Sequence, residues 1–324
     1  GFPAEHGDRM SGVLDMTTLR PTRKIQGVAG LGLLSAEAGA AGLFAEERAA
    51  WLVQGRRGST DFAGRLLDSE DPRYWDAFAK LDLRAGDRHG VRANVLHADD
   101  HLSFAEALPD SSKRTETDYE SSYLWLTHDA VVGSKALVES ALSTSRIDRD
   151  RFGLELEEDV EFSIVDRRRL DVVALRQSWS FESGARHVVK GGFEVRRFDT
   201  EFVYVGETVF ENPVAEIRER GPVSAVDFRA SFEEYHRGAH VSDRIRVLDG
   251  LTLEIGVRYD GHTQTDEELV SPRLNLAYAP SPGSVVRFAW GRFTQSQRPY
   301  ELQIEDGETR FFRVERSEHR VLGF

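Results

Sequence analysis

The 324-residue sequence has no cysteine. Disulfides, thiolate nucleophiles and cysteine-type zinc sites are therefore excluded. It also lacks any apolar run near the roughly 18–20 residues that a spanning helix needs. That rules out a helical membrane protein but not a membrane barrel, whose alternating strands keep the mean hydropathy low. Basic residues are in deficit, 42 Lys and Arg against 55 Asp and Glu, for a net charge of −13. No basic stripe interleaved with aromatics is present, so no nucleic-acid partner is expected. The acidity reads as loop solvation. A GxSxG elbow, an HExxH pair and blade repeats of ~40–50 residues are all missing.

What is present is alternation. Leu251, Leu253, Ile255, Val257 and Tyr259 occupy every second position, with Thr252, Glu254, Gly256 and Arg258 between them. Successive strand side chains point to opposite faces, so the segment has one apolar and one polar face. The pattern returns at Leu274, Leu276 and Tyr278. Beyond Pro280-Ser281-Pro282-Gly283 it returns again at Val286, Phe288 and Trp290. Parity predicts that Leu253, Ile255, Val257, Phe288 and Trp290 face lipid, and that Thr252, Glu254, Arg258 and Arg287 face a lumen. Tyr119, Tyr123 and Trp125 read as a row of interface aromatics, and Trp179 as lipid-facing or girdle.

Short turns are expected at 85–90, 182–186 and 280–284. Long polar loops are expected near 99–118, 152–166, 205–221 and 295–315, with Pro109 and Pro213 among them. Short turns at one end and long loops at the other are what outer-membrane barrels require. Most of the strands between them reach the ~9–11 residues of a tilted membrane strand.

The first residues, Phe2, Pro3, Gly7, Ser11, Gly12, Val13, Leu14, Asp15, Met16 and Thr17, resemble the end of the plug domain of TonB-dependent outer-membrane receptors. Trp51-Leu52-Val53-Gln54-Gly55-Arg56-Arg57 resembles an early barrel-strand phrase of that family. Ser271 to Leu302 resembles a late hairpin, followed by Arg298, Pro299, Tyr300 and Glu301. The resemblance implies an all-β fold: residues 1–22 close a plug, and 23–324 form part of an antiparallel transmembrane β-barrel. About thirteen strands and the start of a fourteenth are counted against about 22 in such receptors. The expectation is therefore an internal fragment whose first and last strands each lack a neighbour.

The resemblance further implies import of a scarce small molecule, such as a siderophore, cobalamin or carbohydrate, in the outer membrane of a Gram-negative-type bacterium. A TonB-type coupling protein would act through a region before Gly1, with outer-membrane lipid around the wall. No catalysis and no cofactor are implied. A passive porin-like barrel and a barrel-embedded enzyme are the alternatives.

Two sets of site candidates stand out. Arg258, Arg273 and Arg287 point inward as lumen-solvating groups or plug partners, or as contacts to an anionic ligand. His97, Asp99, Asp100 and His101 crowd four possible zinc ligands into five residues. In a loop, the same residues commonly serve only to meet solvent.

Overall fold

The computed structural model describes residues 2–58, 72–108, 111–211, 214–217, 222–304, 307–308 and 310–324. Among the described residues, fourteen strands form one sheet. They are β1 (Gln26–Leu31), β2 (Ser35–Phe44), β3 (Ala49–Gly58), β4 (Arg73–Ala85), β5 (His89–Leu108), β6 (Ser111–Val132) and β7 (Ala136–Glu157). There follow β8 (Val160–Ser183), β9 (His187–Phe210), β10 (Val223–Leu248), β11 (Leu251–His262), β12 (Glu267–Ser281), β13 (Ser284–Gln295) and β14 (Glu315–Gly323). Each strand pairs with the next in the chain, β1 and β14 being the edges of the order. Pairing is antiparallel throughout, with β9 and β10 in register from Val209–Val223 to His187–Ile245. A four-residue helix, α1 (Val214–Ile217), lies between β9 and β10, and a 3-10 turn, Pro299–Glu301, between β13 and β14. This is an all-β open meander, the expected partial barrel wall.

Residues 2–25 hold no strand. They lie on one face of the sheet, reaching Gln295 at the end of β13 through Met10 and Lys80 on β4 through Thr18. That face is the inner one. The register places Thr252, Glu254, Arg258 and Arg287 on it, and Leu253, Ile255, Val257, Phe288 and Trp290 on the outer one. The expected division of the two faces therefore holds along β11 and β13.

The outer face changes character along the strands. On β8, Phe181, Trp179, Leu175 and Val173 give way to Asp171, Arg169 and Arg167, and on β9 Phe193 and Val195 give way to Arg197 and Asp199. The apolar residues of this row are exposed. Above them runs a ladder of cross-strand ion pairs: Arg146–Asp171 at 2.8 Å, Arg169–Asp148 at 2.7 Å and Arg197–Glu233 at 2.9 Å.

The strand pairing corrects the expected loops. Residues 99–108 continue β5 and 111–118 open β6. Of 152–166, only 158–159 lie between β7 and β8. Residues 205–210 likewise belong to β9. From 111 to 118 polar side chains stand on both faces and the period-2 hydrophobic signal disappears, whereas Phe152, Leu154 and Leu156 still alternate with Gly153, Glu155 and Glu157, and there the acidic residues suggest a loop while the backbone ladder continues. Strands of 22–26 residues at about 3.3 Å each span roughly 70–85 Å, far more than the ~30 Å of a hydrocarbon core. Pro109 and Pro213 lie outside the described residues.

A second correction concerns the aromatics of β6. Tyr123 pairs with Ser145 and Leu96, and Trp125 with Asn94 and Ser143, on the row that contains inner-face Lys80 and Arg149. Trp125 packs on Phe78 with ring centroids 6.0 Å apart. Leu124 and Leu126, not the aromatics, form the outer row. Ser121, Tyr123 and Trp125 alternate with them as regularly, and aromatic content alone points to the wrong face.

Candidate functional site

The inner wall of β9–β13 holds the N-terminal segment through arginines. Arg258, 1% exposed, donates from Nε to both carboxylate oxygens of Asp260 at 2.9 and 3.0 Å. Its Nη2 donates to Glu194 on β9 at 2.5 Å, and its Nη1 to the Glu5 carbonyl at 3.3 Å. The strand pleat makes this possible. Arg258 and Asp260 are two apart and share a face, while Glu194 lies across β10 opposite Gly238. Gly238 leaves the space: a β-carbon there would overlap the guanidinium. Gly7 of the N-terminal segment leaves the corresponding space from the other side.

Arg273 serves the same segment one strand further on. It donates to the carbonyls of Phe2 and Pro3. Its guanidinium lies over the rings of Phe2 and Phe293, 4.9 and 4.5 Å from their centroids. Such cation–ring contacts strengthen when water is excluded. Lys190 closes the near edge, with Nζ 3.2 Å from the Glu5 carboxylate.

The third anchor is not legible in the sequence. Asp8, 2% exposed, accepts from the Ser296 backbone N–H at 2.7 Å and from its hydroxyl at 2.8 Å. Arg298 donates to the Asp8 carboxylate at 2.6 Å and to its carbonyl at 3.1 Å. A buried carboxylate that meets a guanidinium and two further donors is compensated for its loss of water. Far along, Lys80 Nζ donates to the Thr18 hydroxyl at 2.9 Å, and Arg20 pairs with Asp82.

Arg287 shares the inner face and stands exposed beside Pro3, Thr252 and Glu254, lining an open hollow of about 680 Å³. It takes no part in the anchor.

The zinc candidates do not converge. They lie on a strand, and alternation sends Asp100 to the inner face and His97, Asp99 and His101 to the outer. His97 Nδ1 is 2.9 Å from the Ser122 hydroxyl, and His101 Nδ1 is 2.6 Å from Asp118. Among the described residues, the group spaced to hold a cation is Glu194, His236 and Asp260. Both carboxylates of that group already bond Arg258, whose guanidinium is the cation between them. Sequence spacing could not have revealed it, because the three residues lie on three strands. His236 stacks on His262 at 4.5 Å beside it.

A sequence profile described as "TonB dependent receptor-like, beta-barrel" matches residues 38–312. No curated protein sequence matches the chain significantly. Among solved structures, the siderophore receptor PirA from Acinetobacter baumannii aligns with a TM-score of 0.56 at 14% identity, over 88% of this chain and 45% of its own. BauA, the ferric preacinetobactin receptor of Acinetobacter baumannii, aligns at 0.55 and 10% identity, over 92% and 50%. The RagAB peptide transporter aligns at 0.54 and 6% identity, over 81% and 37%. The chain thus spans half or less of the length of these structures, and at such identities the likeness is one of fold. All three are receptors or transporters rather than enzymes. With the profile match running from β2 to beyond β13, the chain belongs to the TonB-dependent receptor β-barrel family.

Proposed function

We propose that this chain is wall and plug end of an outer-membrane receptor that imports a scarce small molecule. Residues 1–22 are the end of a plug domain, and 23–324 are barrel. The observation that carries the reading is the seat of the N-terminal segment on Arg258, Arg273 and the Ser296–Arg298 corner, inside the wall. A segment held in the lumen by a few buried ionic contacts is firm at rest and releasable as a unit when pulled. That suits import driven by a TonB-type coupling protein that displaces the plug. The exposed apolar outer row, from Val53 through Leu126, Leu175 and Ile255, suits outer-membrane lipid. No residue is needed for bond breaking. A passive pore is disfavoured by the seated segment.

Similarity to siderophore receptors supports a ferric siderophore as the first cargo to test. The complete gene is expressed in a Gram-negative host lacking its own siderophore receptors, and uptake of radiolabelled ferric siderophores is measured with and without the coupling protein. Uptake that vanishes without the coupling protein is expected. Uptake that persists without it, or conductance by the purified protein in a planar bilayer, overturns the reading in favour of a passive pore.

A further inference from the structure

The outer face carries a charged pair inside its apolar row, at the short-turn end of the wall and away from the ion-pair ladder. His187 opens β9 directly after the turn from β8, and its Nδ1 lies 2.8 Å from Asp243 Oδ2 on β10. In register His187 faces Ile245, so the contact with Asp243 is diagonal. Both residues stand on the outer face. Asp243 pairs with outer-face Ile255 on β11 and with Val189 on β9, two residues beyond His187. The neighbours on that face, Val189, Val241, Ile245 and Ile255, bring no charge to it.

A carboxylate only accepts hydrogen bonds, so the imidazole donates from Nδ1. In the neutral ring Nε2 is then a lone pair, and the two residues together present acceptors and a net negative charge. Their side chains are 44% and 27% exposed, so the pair is reachable from outside the wall. Ionisable groups on a lipid-facing wall are costly, and one that persists there marks a specific contact. The height on the wall decides with what. Short turns lie on the periplasmic side of outer-membrane barrels, so His187 stands near the head groups of that leaflet. Acyl chains satisfy neither acceptor, and a bare phosphate is repelled by the carboxylate. A trimethylated ammonium brings charge but no N–H. A primary ammonium brings both.

We propose that His187 and Asp243 form a head-group site for a phospholipid bearing a primary ammonium. The ammonium donates to the Asp243 carboxylate and to His187 Nε2, and the acyl chains run up the wall over Val241 and Ile255. This rests on the reading of the wall as an outer-membrane barrel. It adds a preference for one lipid at one place on that wall, and needs no coupling and no transport.

The test is native mass spectrometry on the full-length protein purified in detergent, with phosphatidylethanolamine as probe. Phosphatidylcholine and phosphatidylglycerol with the same acyl chains are the comparison arms. The ethanolamine lipid should be retained about three- to tenfold more tightly than either, as for a charge-assisted hydrogen bond that the other head groups cannot make. Asp243→Asn keeps the shape and removes the charge, and should bring the ethanolamine and choline lipids level. His187→Phe keeps a flat ring without Nε2, and should lower the preference without abolishing it. Migration that shifts on heating shows whether each variant has kept its barrel; if Asp243→Asn has not, His187→Phe and the native comparison decide. Equal retention of ethanolamine and choline lipids by the native protein, or a preference that survives Asp243→Asn, overturns the proposal. Preferential retention of the glycerol lipid overturns it as well, because the site would then be cationic. A preference unchanged in His187→Phe overturns the part given to His187. A native protein with no heat-shifted migration counts against the barrel reading, whereas a heat-shifted barrel without the preference counts against this site alone.

Discussion

Gly7 and Arg258 occupy one space: a β-carbon added to Gly7 would overlap the guanidinium, which is itself fixed by Asp260 and Glu194. Gly7→Ala must therefore displace either the N-terminal segment or a buried ion pair. Overpacking of this kind costs about 1–3 kcal/mol. Hydrogen exchange at residues 2–10 of the full-length protein should accelerate by roughly five- to 150-fold, from the conversion of about 1–3 kcal/mol, with exchange in β11 nearly unchanged. Unaltered protection would show that the segment is not held by this contact.

The outer ladder fixes the register of β7 against β8. Asp171→Arg places like charges opposite Arg146 and should lower stability by no more than about 1 kcal/mol, because the pair is exposed. Adding Arg146→Asp should restore it. A double-mutant cycle in denaturant, in detergent, measures the coupling. Zero coupling would contradict the observed pairing.

That ladder also shows what was legible in the sequence and what was not. Strands β11 to β13 were readable because Leu253, Ile255 and Val257 alternate with polar residues. The start of β6 was not, because Lys113, Thr115 and Thr117 on one face and Ser112, Arg114 and Glu116 on the other are all polar. On β7 and β8 a complementary charge pattern accompanies the register: Arg-x-Asp-x-Asp at 146–150 meets Arg-x-Arg-x-Asp at 167–171 in antiparallel order. Arg258 and Arg273 were legible as inward residues from parity alone; their contacts with residues 2–5 were not. Asp8 and Ser296 are 288 positions apart, and no local pattern joins them.

Seating of the N-terminal segment should weaken in acid. Burial lowers the pKa of His6, opposed by Glu5 and reinforced by Arg9, Arg273 and Arg176. A group whose folded pKa lies below its unfolded value penalises the folded form as it protonates. The penalty is absent above the ordinary histidine pKa of about 6.5 and grows as pH falls from there to the lowered folded value. A spin label at Ser11 should become more mobile across that window, and His6→Gln should flatten the response. A label that grows more mobile as pH rises would reverse the sign.

Parity along β11 can be read in the membrane. Spin labels at Leu253, Ile255 and Val257 should be accessible to oxygen dissolved in lipid, and labels at Thr252 and Glu254 to water-soluble nickel reagents, because one-residue steps change face. Lipid access at Glu254 together with lumen access at Val257 would contradict the wall described above.

The most direct test of the central claim, that the N-terminal segment is seated inside the barrel wall, is a cross-link in the double variant Asp8→Cys, Ser296→Cys. The sequence has no cysteine to interfere. The two native side chains are in hydrogen-bond contact at 2.8 Å. Asp148→Cys with Arg169→Cys, directly paired on β7 and β8, serves as the positive control. The account predicts that, in outer membranes from cells expressing the complete gene, mild oxidation joins positions 8 and 296 by a disulfide in high yield, seen as a reductant-sensitive mobility shift. Formation of the control disulfide alone, with the thiols introduced at positions 8 and 296 both labelled freely by maleimide, would contradict it.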